Sequence, residues 1–139
     1  MGGLDKCDGD PWKEVAYGHE FESFCLVIRP KRPPDSSESL AYALQKGLCK
    51  MLDVEIQEIG VSLRSESNHL KEIILYDQTP GGAGFVRDAK DNFSQVVESA
   101  KHICENCSCE AACYDCLKDY GNQSFHDKLD RSSVLECLK

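Results

Sequence analysis

A small α/β domain, with strands and helices in the order β-α-β-β-α around a mixed sheet, is what this chain predicts. Three observations point there. Short β-branched and aromatic runs alternate with stripes of apolar residues at three-to-four-residue spacing, the mark of strands punctuated by amphipathic helices. At 139 residues and 41% hydrophobic content, the chain can bury one real core. Finally, five of its nine cysteines, Cys104, Cys107, Cys109, Cys113 and Cys116, crowd together near the C-terminus ahead of a last apolar stripe.

Residues 1–18 form a polar, turn-rich N-terminal segment, expected to be loosely ordered, with Trp12 its one candidate anchor. The single domain is expected over residues 19–139. Phe21–Ile28 reads as a strand that becomes fully buried toward its end. The run from Pro30 to Pro34 breaks it, and Asp35 followed by Glu38 suits a helix start. Leu40, Ala43, Leu44, Gly47, Leu48, Met51 and Leu52 give that helix its inward stripe. Residues 54–63 read as a second strand, bulged or kinked at Gly60, and Glu72–Asp77 as a third. The short turn between these two favours an antiparallel pair, while the helix lets the first strand return parallel to a neighbour. A long helix follows, striped by Phe85/Val86, Ala89, Phe93, Val96/Val97, Ala100 and Ile103/Cys104. Gly121-Asn122 is a turn, and Ser124 can cap a last helix carrying Phe125, Leu129, Val134, Leu135 and Leu138 inward.

The cysteine run reads Cys-x2-Cys-x-Cys-x3-Cys-x2-Cys. Zinc asks for four soft or borderline donors in a tetrahedron, and a Cys-x2-Cys turn supplies two thiolates at once. Iron–sulfur runs space their ligands differently and carry a trailing Cys-Pro that is absent here. Disulfides fit poorly, because nine is odd and neighbours at such spacing rarely suit unstrained bridges. Cys104 continues the helix stripe, so its plain role is a small buried hydrophobe. Cys107, Cys109, Cys113 and Cys116 lie beyond the helix and are the expected ligands of one structural zinc, a C-terminal four-cysteine zinc knot. Cys104 is the alternate ligand, since its spacing to Cys107 also fits. His102 and His126 are outside candidates. Cys7, Cys25, Cys49 and Cys137 read as reduced, packed thiols of a reducing compartment, which places the chain in the cytoplasm.

Charge argues against unaided nucleic-acid binding. The formal net charge is −8, and four thiolates on one zinc ion would add about −2 more. Affinity for a phosphate backbone comes from lysine and arginine displacing counterions, and the basic pairs Lys31-Arg32 and Lys128/Arg131 are too few. No apolar run reaches membrane-span length, so no membrane partner is expected.

Two further motifs carry chemistry. Asp77-Gln78-Thr79-Pro80-Gly81-Gly82-Ala83-Gly84 joins a strand to a helix N-terminus, the geometry that binds anions through backbone N–H groups. The same glycines also suit a plain tight turn. His126-x-Lys128 invites a phosphodiesterase reading, but Ser133 stands where such motifs need an aspartate, and no partner acid is evident. A zinc–thiolate redox sensor, with Cys104 as the spare thiol, is a third reading.

Three ordered segments resemble the MrfA-like zinc-binding domain family: Leu75–Phe85, then Cys107-x-Cys109-x3-Cys113-Tyr114-x-Cys116-Leu117, then Tyr120–Gln123 through His126, Leu129, Asp130 and Arg131. That family sits at the C-terminal end of superfamily 2 DNA helicases and occurs in DrmB-type accessory proteins of anti-phage systems such as DISARM. The resemblance runs from about residue 19 to residue 135. It implies the same four zinc ligands, and a contact role toward nucleic acid or a partner for Gly81, Gly82, Gly84, Asn122, Gln123, His126 and Arg131. It further implies a non-catalytic module that serves a superfamily 2 helicase in cis or in trans, in DNA repair or anti-phage defence. Nucleic acid is then met together with that partner. No Walker lysine motif or Asp-Glu-x-His box occurs in these residues, so any ATPase is expected in a partner or in an upstream region.

Overall fold

The computed structural model describes residues 12–20, 23–30, 37–65, 71–78, 84–114 and 116–138. Asp35, Gly81, Gly82 and the Lys31-Arg32 pair lie outside them. Four strands form one sheet: β1 (Trp12–Glu20), β2 (Ser23–Pro30), β3 (Ile59–Ser65) and β4 (Lys71–Asp77). Their order is β1-β2-β4-β3, and every neighbouring pair is antiparallel.

The sheet is therefore not mixed. Helix α1 (Ser37–Leu52) does bring β3 back in the direction of β2. The β3–β4 hairpin then folds β4 into the gap, so no two adjacent strands run parallel. The strand Trp12–Glu20 is a second difference, since it falls largely within the polar segment from which no strand was expected; it pairs along β2 from Trp12↔Pro30 to Glu20↔Ser23.

Alternation along the strands sends Leu26, Ile28, Ile59, Ile73 and Leu75 into the core. Helix α1 covers them, and it is buried nearly all round because α3 (Phe93–Glu105) packs on it as well. The two helices approach closely at Gly47, where a Cβ would lie 2.7 Å from the Val96 carbonyl oxygen. The other sheet face carries a charged row in which Glu72, 1% exposed, pairs with Arg29 and with Arg64.

Gly60 introduces no bulge, for the β3–β4 register runs unbroken from Ile59↔Asp77 to Ser65↔Lys71. Its lack of a side chain serves another end. The Tyr76 ring lies over it, and a Cβ would sit 2.2 Å from Cζ. Residues 56–58, expected as strand, form a 3-10 turn instead. The long helix is two, α2 (Phe85–Asp91) and α3, broken at Asn92 while the buried stripe continues across the break. A 3-10 stretch, Tyr120–Lys128, precedes α4 (Arg131–Cys137). The cap of α4 is Asp130, whose Oδ1 accepts from the Ser132 N–H, and not Ser124. Among the described residues no helix is long and apolar enough to cross a membrane.

Candidate metal centre

Helix α3 stops where Asn106 folds back, its backbone N–H and its side-chain amide both donating to the His102 carbonyl. The chain then turns through Cys107 and Cys109 and returns at Cys113. The Cys113 carbonyl accepts three N–H groups, from Cys116, Leu117 and Lys118, which winds the Cys-x2-Cys segment into a tight knuckle. In the reverse direction the Cys113 N–H donates to the Cys116 sulfur at 3.3 Å.

These turns gather four thiols. The Sγ atoms of Cys107, Cys109, Cys113 and Cys116 all lie within 4.8 Å of one another. Individual separations are 3.3 Å (Cys107–Cys109), 3.4 Å (Cys107–Cys113) and 3.6 Å (Cys109–Cys116). A zinc ion bonded to four sulfurs at about 2.3 Å needs tetrahedral edges of about 3.8 Å, so the donor set fits with shifts of a few tenths of an ångström. Such a closed set leaves no coordination position for water or substrate, as in structural sites. Before ligation the thiols share protons: the Cys109 backbone N–H and the Cys109 and Cys113 thiols lower Cys107 to about 7, while burial and hydrogen bonds to the neighbouring thiols push Cys109 up to about 12, and burial raises Cys116 as well. Ligation requires the deprotonated form of each.

Cys104 stands apart. It is fully buried in the core beneath the knuckle, burial pushes its thiol up to about 12, and it is outside the four-thiol group. Two cations from distant elements brace the knuckle. Arg131 donates through Nε to the Cys109 carbonyl at 3.0 Å and through Nη1 to the Cys104 carbonyl at 3.1 Å, while its own N–H donates to Ala111. Lys46, from α1, donates to the carbonyls of Tyr114 and Lys118. A zinc tetrathiolate carries about −2 net, and these two positive groups offset it.

The remaining expected contact residues separate. Asn122 is wholly buried: its amide donates to the Leu117 carbonyl, and its Oδ1 accepts from the Asp119 N–H and from His126 Nε2. His126 Nε2 also faces the Asp119 carbonyl at 3.1 Å. Both partners are acceptors, so Nε2 carries the proton and presents no lone pair for attack on phosphorus. Gln123 and Lys128 are exposed, and Ser133 is buried in α4. The Gly84 N–H donates to Asp77 Oδ2 at 2.8 Å, and the Val86 N–H to Oδ1 at 3.2 Å. A carboxylate of the chain itself, 1% exposed, thus occupies the helix N-terminus that the sequence offers to an anion.

Sequence reasoning missed Asp77, Lys46 and Asp119. The Asp119-x-x-Asn122 spacing is a local capping signal that was available. Lys46 has none, being 68 and 72 residues from its partners.

A small antiparallel sheet layered by helices, closed by a four-thiol knuckle, defines a structural-zinc domain. The chain belongs to the MrfA Zn-binding domain family, whose model matches residues 40–117. With that membership, the four-cysteine cluster fits one structural zinc. The chain is 28% identical over 156 residues to the Druantia protein DruE of Escherichia coli strain UMEA 4076-1, covering 96% of this chain and 8% of DruE. It is 30% identical over 70 residues to the uncharacterized ATP-dependent helicase YprA of Bacillus subtilis strain 168, covering 50% of this chain and 9% of YprA. The crystal structure of the DUF1998 helicase MrfA bound to DNA superposes with a TM-score of 0.62 at 20% identity, over 83% of this chain and 16% of that one. MrfA bound to DNA and AMPPNP gives 0.56 at 18% identity, over 89% and 21%. These structural likenesses establish the shared fold. The chain is a zinc-binding domain of a family found in helicases, and it spans under a tenth of the curated relatives it matches.

Proposed function

We propose that the chain is the non-catalytic structural-zinc module of a superfamily 2 DNA helicase, or of a helicase-associated complex in DNA repair or anti-phage defence. In this reading Cys107, Cys109, Cys113 and Cys116 ligate the ion. The module docks on the motor, in cis or in trans, and nucleic acid is met on the joint surface. The observation that carries the reading is the four-thiol knuckle tied to both flanking helices through Lys46 and Arg131. Zinc there freezes α1, α3 and α4 as one rigid body, which suits a docking part. It presents no open metal position for chemistry.

Net charge supports the division of labour. At −8 the chain repels a phosphate backbone, so a motor must supply the basic groove. The test is a mobility shift on fluorescein-labelled forked DNA, with zinc-loaded chain, with a superfamily 2 motor, and with both. A supershift that requires the motor and is lost with Cys113→Ser is expected. Nanomolar binding of the fork by the isolated chain at physiological salt would contradict the reading.

A further inference from the structure

Tyr114 is the one large apolar side chain that stands in solvent among the described residues, 53% exposed. It lies inside the Cys113-x2-Cys116 knuckle, so ligation on either side fixes its backbone, and Lys46 donates to its carbonyl at 3.3 Å. His126 braces the ring edge to face, with centroids 5.6 Å apart and planes at 83°. A lone exposed ring says little by itself. What surrounds this one says more.

A groove of about 550 Å3 opens beside the ring, between the C-terminal ends of α1 and α3. Val54, Ile56 and Ile103 give it apolar walls, and both signs of charge line it, Lys50 and Lys118 among the cations, Asp53 and Glu55 among the anions. No ion pair joins these two lysines to these two carboxylates among the described residues. Lys50 also lines a second cavity, of about 440 Å3, that passes over the thiols beside His102, Asn106 and Ser108 and has no carboxylate in its wall. Exposed in the last turn of α1, Lys50 therefore stands where the two hollows meet.

Occupants differ in what they offer these groups. An apolar side chain would cover unpaired lysines and carboxylates and give them no partner. A phosphate alone would leave the ring and the apolar walls unused and would meet Asp53 and Glu55. A duplex keeps its base faces stacked away from any ring. A nucleotide of a single strand answers all three: its base lies on the ring, its edge donors and acceptors face both signs of charge, and its phosphate meets a lysine.

We propose that Tyr114 is the platform on which one base of a single DNA strand stacks, with an adjoining phosphate on Lys50. Stacking needs no net positive charge, so a chain of net charge −8 makes this contact while the motor neutralises the rest of the backbone. The assignment rests on the reading that the domain meets nucleic acid beside a motor, and it names the domain's own share of that contact. Residues that the family resemblance offered for it are engaged elsewhere: Asn122 and Arg131 hold carbonyls of the chain, and the Gly84 N–H is taken by Asp77.

Amide NMR of the zinc-loaded 139-residue chain, titrated with a deoxyadenylate tetramer at physiological salt, tests this. Weak, saturable shifts are expected at Lys50, Ile103, Tyr114 and Lys118, with an abasic tetramer of equal charge and a duplex giving none there. Tyr114→Ala should weaken the tetramer roughly fivefold or more, and Tyr114→Phe should leave it unchanged, both with a full complement of zinc. Lys50→Gln should weaken it by a smaller factor. No saturation, equal binding of the abasic tetramer, or unchanged affinity in Tyr114→Ala would overturn the assignment. So would loss of motor binding by Tyr114→Ala in the absence of DNA, which would make the ring a protein contact. Failure of the tetramer while the wild-type chain still supershifts with a motor removes the base platform alone. Tetramer binding without any motor complex removes the docking reading instead.

Discussion

Asn122 and Arg131 hold the region after the metal site together, each by several hydrogen bonds to groups that have no ready substitute. Replacing Asn122 with alanine strands the Leu117 carbonyl and the Asp119 N–H, and leaves His126 Nε2 with only the Asp119 carbonyl. A loss of about 2–4 kcal/mol is expected in urea unfolding of the zinc-loaded chain. Arg131→Lys keeps the charge but cannot bridge two carbonyls with a rigid fork. Residues that orient metal ligands typically alter metal affinity about 10–100-fold, and a loss near the lower end should appear in zinc competition with a chromogenic chelator. The four thiols were legible in the sequence because their partners are local: turns of two or three residues bring them together. The roles of Asn122 and Arg131 were not. Asn122 leaves a local mark in the Asp119-x-x-Asn122 capping spacing, although its burial does not follow from it; Arg131 leaves none, because its carbonyl partners lie 22 and 27 residues away.

At the scale of elements, the close crossing of α1 and α3 is the most exacting contact. Gly47→Ala would force a methyl against the Val96 carbonyl oxygen and the Ala100 backbone, at 2.7 and 2.8 Å. The helices must separate, at a cost of about 1–3 kcal/mol by thermal unfolding. The strands and helices themselves were legible from periodicity, since burial on one face imposes it. Which strands pair was not, because a strand's own pattern records burial and says nothing of its neighbour's direction. Hence β4 slipping between β2 and β3 came as a correction. The break at Asn92 escaped for a related reason, since Ala89, Phe93 and Val96 keep one buried face across it. Asp77 illustrates the same limit at the helix N-terminus. Its carboxylate reaches the N–H groups of Gly84 and Val86 across a turn, so a motif that resembles an anion site is filled from within.

For the molecule as a whole, zinc at the four-thiol knuckle ties the sheet-and-helix layer to the last helix. Ligation is worth on the order of 10 kcal/mol of folding free energy in small structural sites, comparable to the whole stability of a domain this size. The core of α1, α3 and the sheet buries enough apolar surface to survive partly without it; α4 adds Val134, Cys137 and Leu138 at the edge of that core and is tied down further by Arg131 on the knuckle, while the Ser39 hydroxyl holds the chain at Lys128 and Asp130. Excess chelator should therefore expose amides 107–138 to hydrogen exchange before those of α1 and β4. Simultaneous exposure throughout would mean that the metal supports the entire fold cooperatively.

The most direct measurement is metal content by atomic emission, on wild type and Cys113→Ser purified without added zinc, together with thermal unfolding of each. About one zinc per wild-type chain is predicted, with the variant losing both the metal and its cooperative transition. A wild-type chain that carries no zinc, or iron in its place, or a variant that keeps a full complement of zinc, would contradict the account.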